Sequence, residues 1–213
     1  MSLIKLDGVY KSFGDKEIFS NLSLEIEAGE FVAIMGASGA GKTTLLNIMG
    51  LLDSPTKGSV TVCGKQSSAG LSSGTATLLR REQMSYLMQN YGLIDTETVE
   101  YNLSISARFK KVNKQQKRQL YEYALGRVGL AGFEKRKIYT LSGGEQQRVA
   151  LAKIIIKSPQ IILADEPTGS LDQANRDVVL KMLENFNKEG KTVVVVTHDP
   201  VVNSCANRHI KIG

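Results

Sequence analysis

Apolar and polar residues alternate in Leu22-Ser23-Leu24-Glu25-Ile26-Glu27 and again in Ser59-Val60-Thr61-Val62. A period of two predicts strands with one wet face, which antiparallel sheets accommodate. Phe31-Val32-Ala33-Ile34-Met35, Ile161-Ile162-Leu163-Ala164 and Val193 to Val196 are apolar throughout. Such runs fit strands covered on both faces, as in a parallel sheet beneath helices. Helical spacing separates them, most clearly over Leu171 to Asn187. Each buried strand runs into a polar or glycine-rich turn. Ligands of open α/β sheets bind at those carboxyl ends.

Between residues 92 and 157 strand signals are few. Lys114 to Val128 reads as a helix, and so does Gly144 to Lys157, with Leu151, Ile154 and Ile155 at helical spacing and Pro159 just beyond. This stretch is expected to be a helical lobe inserted into an α/β core. Ser67 to Thr77, rich in Ser, Gly and Thr, is expected to be a surface loop. A last strand is expected at His209-Ile210-Lys211-Ile212.

With 213 residues, 42% hydrophobic and 23% charged, the chain fits one globular domain and excludes disorder and coiled coil. No apolar run approaches the ~20 residues a membrane helix needs. Met1 leads directly into alternating residues, with no signal-peptide core. Cys63 and Cys205 alone make no disulfide framework. The expectation is a protein that is not exported and works in a reducing cytoplasm.

Lys plus Arg number 27 against 21 Asp plus Glu, a net charge of +6. The excess gathers in Arg108, Lys110, Lys111, Lys114, Lys117 and Arg118, with no acid between them. No aromatic interleaving points to base stacking, so nucleic acid is not an expected partner. A solvated helix and loop is the favoured reading, with attraction to an anionic membrane surface as the alternative.

Gly36-Ala37-Ser38-Gly39-Ala40-Gly41-Lys42-Thr43 fits G-x-x-x-x-G-K-[ST] and lies between a buried strand and an apolar helix. Glycines let backbone N–H groups turn inward around a polyphosphate, and the helix N-terminus adds aligned dipoles. Lys42 can set a cation on the β- and γ-phosphates, and Thr43 can ligate Mg²⁺ through its hydroxyl. Ile161 to Ala164 ends in Asp165 and Glu166. Asp165 would hold Mg²⁺, directly or through water. Glu166, pointing to the other face, could orient and deprotonate an attacking water. Leu141-Ser142-Gly143-Gly144-Glu145-Gln146-Gln147-Arg148 opens a second helix in an anion-binding manner.

These motifs together, in this order, resemble the ATP-binding cassette (ABC) ATPases over essentially the whole chain, residues 1–213. The resemblance implies an α/β fold: a P-loop NTPase with a RecA-like parallel-sheet core, an N-terminal antiparallel β subdomain and an inserted α-helical subdomain at roughly 92–157. It implies that Tyr10 stacks on adenine and that Gly36, Ser38, Gly39, Ala40, Gly41, Lys42, Thr43 and Thr44 cradle the phosphates. Gln89 would sense Mg²⁺ and the attacking water. Ser142, Gly143 and Gly144 would touch the γ-phosphate held by the opposite subunit. Asp165 and Glu166 would be the metal and base carboxylates, and Ser170-Leu171-Asp172 would link the two sites. His198 would contact the γ-phosphate. Read alone, Tyr10 is a half-buried strand residue and His198 a histidine at a strand end. Ala40 stands where Ser is common, and Lys153 where Arg is common. Neither change removes a phosphate ligand.

The implied assembly is an ATP-dependent head-to-tail homodimer on the cytoplasmic face of the cell membrane, bound to separate integral permease subunits. The segment from Asn90 to Val99 would border the groove that receives a short permease helix. Thr43 to Gly50 with Leu52-Asp53-Ser54-Pro55-Thr56 resembles the group serving macrolide, peptide and lipoprotein exporters. Leu93 to Val99 is most like its bacteriocin-export subset of the lactococcin type. The alternative is a cell-division type ATPase that activates a cell-wall hydrolase and moves no substrate. Soluble ABC proteins of ribosomes or DNA usually carry two cassettes or a coiled-coil insertion, neither of which is present. A P-loop kinase or GTPase lacks the Leu141 to Arg148 octet.

Overall fold

The computed structural model describes residues 2–68, 73–169 and 171–213. The chain opens with β1 (Ser2–Phe13), β2 (Lys16–Glu27) and β3 (Phe31–Met35), then α1 (Lys42–Met49), β4 (Lys57–Val62) and β5 (Lys65–Ser68). There follow α2 (Ser73–Glu82), β6 (Met84–Leu87), α3 (Val99–Ser106), α4 (Lys114–Arg127) and α5 (Gly143–Lys157). The last third holds β7 (Ile161–Asp165), α6 (Gln173–Lys188), β8 (Thr192–Val196), α7 (Pro200–Cys205) and β9 (Arg208–Lys211).

Two sheets form. One is antiparallel in the order β2-β1-β4-β5, and the other is parallel in the order β6-β7-β8-β3-β9. The parallel strands explain the unbroken apolar runs. Phe31, Ala33, Ile162, Ala164, Val193 and Val195 face one core, packed with side chains of α3 to α6. Val32, Ile34, Ile161, Leu163, Val194 and Val196 face a second core, shared with α1 and the antiparallel sheet. Alternate residues of each strand thus enter different cores, and neither face can be polar. Fully burying one such side chain contributes about 1.5–3 kcal/mol, so an Asp at Ile162 would break the sheet's hold on its helices.

Residues 92–157 are helix and turn, apart from one isolated antiparallel bridge between Thr98 and Lys137. The expected loop at Ser67 to Thr77 is corrected at both ends: β5 runs to Ser68 and α2 starts at Ser73, while residues 69–72 lie outside the described residues. Ala76 and Leu79, three apart, give α2 its buried stripe. The Ser, Gly and Thr in its first turn hide that stripe from composition.

Candidate functional site

The carboxyl ends of β3, β7 and β8 carry the chemistry to one edge of the parallel sheet. After β3 the chain turns through Gly36 to Gly41, with Ala40 N–H donating to the Ala37 carbonyl at 3.1 Å. Gly41 caps α1 at φ +87°, where a side chain is strained, and a Cβ there would overlap Ile18 and come within 2.8 Å of Phe19. No side chain caps α1, so its leading N–H groups have no cap side chain as acceptor. Lys42 Nζ donates to the carbonyls of Gly36 and Ala37, each at 2.9 Å. Its cation therefore sits at the loop. Ser38 and Gly39 are exposed at the loop's tip, and Ala40 and Thr44 are half-buried behind it.

Thr43 reaches from the start of α1 to the end of β7, where its hydroxyl donates to Asp165 Oδ1 at 3.3 Å. Burial pushes the Asp165 carboxyl above its ordinary range; the Thr43 bond pulls it back, and the nearby Glu166 charge raises it again. Glu166 takes a left-handed backbone, φ +45°. Such a conformation costs of order 1–3 kcal/mol and is kept only where surroundings enforce it. Here Glu166 N–H donates to the Val196 carbonyl at 3.0 Å. The carboxylate meets His198 Nδ1 at 2.7 Å and accepts from Thr197 Oγ1 at 3.5 Å. The two adjacent acids thus have separate partners. Gln89 is exposed in the turn two residues beyond β6, the strand beside β7.

Ser142, Gly143 and Gly144 open α5 elsewhere. Ser142 Oγ accepts from Glu145 N–H at 3.3 Å, and Glu145 Oε2 accepts from Ser142 N–H at 2.7 Å, a reciprocal cap. The Ser142 bond holds the Glu145 carboxyl below its usual range. Gly143 lies under the Tyr91 hydroxyl and Gly144 under Asn175. Among the described residues no hydrogen bond or ion pair joins this corner to the Lys42 loop. Lys153 Nζ donates to the Gly92 carbonyl at 2.6 Å, tying the turn after Gln89 to α5. Ser170 lies outside the described residues; Asp172 caps α6 by accepting from Asn175 N–H at 2.8 Å.

A family model described as ABC transporter matches residues 19–169. The chain belongs to the ABC transporter family. It is 44% identical to the macrolide export ATP-binding/permease protein MacB of Escherichia coli over 99% of this chain and 33% of that protein. A MacB of Campylobacter jejuni is 41% identical over 99% of this chain and 33% of its own. The chain thus spans about a third of the length of these relatives. A bacterial ABC transporter cassette solved as a dimer superposes with TM-score 0.90 and 38% identity, covering 98% of this chain and 94% of that one. A dimeric post-hydrolysis cassette bound to ADP and phosphate gives TM-score 0.89 at 37% identity over the same shares. The chain is an ABC ATPase domain with the α/β fold of these cassettes.

Tyr10, which the resemblance expects at the adenine, lies exposed on β1. The buried positions of β1 are Ile4, Leu6, Val9 and Lys11. A register irregularity between Leu6 and Val9 changes the buried parity from even to odd. Tyr10 therefore faces away from the core, whereas Phe13 shares the face of Lys11, whose Nζ lies 4.6 Å from the Phe13 ring centre. Lys11 pairs in register with Phe19, the residue against Gly41. Both Tyr10 and Phe13 are exposed, and Phe13 is the one that lies against Lys11.

Proposed function

We propose that this domain binds ATP on the Gly36–Thr44 loop and hydrolyses it to power a membrane exporter. The observation carrying the reading is the separation of the two acids: Asp165 against Thr43, and Glu166 against His198. Phe13 stacks on the adenine, and Lys42 with the uncapped N-terminus of α1 takes the phosphates. A hydroxyl beside a lone carboxylate suits Mg²⁺, a hard oxygen-binding cation that keeps waters and phosphate oxygens as its remaining ligands. Thr43 and Asp165 would hold it, with Gln89 nearby, and it would neutralise charge on the β- and γ-oxygens. Glu166 accepts a proton from water as that oxygen bonds to the γ-phosphorus. The bond from phosphorus to the β,γ-bridging oxygen breaks, and ADP departs with the electron pair. His198 holds the Glu166 carboxylate for this step.

Among the described residues no hydrogen bond or ion pair joins the Ser142–Gly144 corner to the Lys42 loop of its own chain. A second copy, packed head to tail, would bring that corner onto the γ-phosphate, a reading that the dimeric cassettes support. The membrane partner docks on an apolar stripe. Tyr101, Ile105 and Phe109 recur every fourth position along α3 and just beyond, between 44% and 63% exposed. Arg81 caps the Phe109 ring at 4.8 Å, and the exposed Ile94 is held ahead of α3 by its N–H donating to the buried Asn102 Oδ1 at 2.8 Å. No helix among the described residues is long and apolar enough to cross a membrane. The similarity to macrolide export proteins supports a drug as cargo, with a lipoprotein or bacteriocin as the alternatives within the exporter reading, and the working place is the cytoplasmic face of the membrane.

Glu166→Gln should keep ATP binding while phosphate release falls by about 10²–10⁴-fold, the range of a well-placed base. Undiminished phosphate release would refute the assignment. Recovery of an integral membrane protein with the chain from detergent extracts supports the transporter role; recovery of none counts against it.

A further inference from the structure

Three side chains tie the first turns of α5 to the segment following Glu166. Gln147 is buried, and its Nε2 donates to the Pro167 carbonyl at 2.8 Å. The Arg148 guanidinium donates to Asn175 Oδ1. Asn175 Nδ2 in turn donates to Asp172 Oδ1 at 3.0 Å and Oδ2 at 2.9 Å. The flat amide of Asn175 also lies against Gly144. A Cβ at Gly144 would overlap its Cγ, Oδ1 and Nδ2 together. Asn175 is thus held by an Arg of α5, by the capping Asp of its own helix, and by the glycine of the serine-glycine corner.

These contacts join the corner to the start of α6, while Gln147 joins the same turn of α5 to Pro167, the residue after Glu166. We propose that Asn175 is a positioning residue: it transmits the docking of this corner on a second copy's triphosphate to Glu166 of its own copy. Hydrolysis at the two sites then becomes cooperative. This rests on the dimeric ATPase reading above.

Asn175 is half-buried and Ala is a better helix former, so Asn175→Ala should fold. The expected result is an ATP KM within about two-fold of wild type, a kcat lowered about ten-fold and a Hill coefficient dropping from near two toward one, as for loss of a typical coupling free energy. Gly144→Ala should be nearly inactive, and adding Asn175→Gly, which removes the overlap, should restore part of the activity. The proposal is overturned by wild-type kcat and Hill coefficient in Asn175→Ala, by losses that merely track the folded fraction, or by a double variant no better than Gly144→Ala. Should Asn175→Ala not fold, Asn175→Ser replaces it with the same outcomes. Failure of the dimer reading is separate: it appears as a monomeric Glu166→Gln in ATP, with Asn175 intact.

Discussion

Two helix N-termini carry the anion chemistry of this domain, and they are built in opposite ways. Helix α1 begins at a left-handed glycine with no side-chain cap. Its first N–H groups are free for phosphate, and Lys42 and Thr43 follow at once. Helix α5 begins with a closed Ser142–Glu145 box, in which each side chain accepts from the other residue's N–H. A helix that caps itself is stable in water, whereas an uncapped one gains most from an anion. The comparison teaches that a single copy should bind nucleotide through α1 alone, and that α5 acts only when a second copy arrives.

The sharpest way to break this comparison is to damage each terminus separately. Lys42→Ala should weaken ATP binding by a single copy by on the order of a hundredfold, the ~3 kcal/mol of a lost charge-assisted contact. Ser142→Arg should leave that affinity unchanged yet abolish turnover. Equilibrium binding of a fluorescent ATP analogue, beside phosphate release, reads both. Equal loss of affinity in the two variants would erase the distinction.

A smaller effect tests the base-stacking side of the α1 site. Phe13→Ala should raise the KM for ATP by the ~1–3 kcal/mol that stacking a base on an aromatic ring contributes. Tyr10→Ala should leave KM unchanged. The reverse pattern would return the role to Tyr10.

Smaller again is the cap of α5. Ser142→Ala should cost about 1 kcal/mol of stability, read by denaturant unfolding without nucleotide. Glu145 adds a pH dependence. Its folded carboxyl is held below the unfolded value, so its stabilisation is complete above the unfolded pKa and disappears as pH falls through the folded one. The gap in melting temperature between wild type and Glu145→Ala should therefore be open at neutral pH and close in acid. A gap that stays constant would mean that the carboxylate is not part of the cap.

The phosphate loop and the acidic strand end were legible because their chemistry is contiguous in sequence: Gly36 to Thr43 and Asp165 with Glu166 each lie on a strand's exit. The buried strands were legible for a related reason, since two cores demand unbroken apolar runs. Three features were not. The β1 irregularity between Leu6 and Val9 changes the buried parity from Ile4 and Leu6 to Val9 and Lys11, and no local pattern announces it. Helix α2 keeps its apolar contacts behind a polar first turn. The Gly144–Asn175 contact joins residues of two helices, and nothing local to either position announces it.

The requirement for a second copy is tested most directly by the solution mass of Glu166→Gln, measured by light scattering with and without ATP and Mg²⁺. The mass should double when nucleotide is added, and should stay that of one chain when Ser142→Arg is also present. A single-chain mass at saturating ATP would contradict the account, and so would a doubled mass that survives Ser142→Arg.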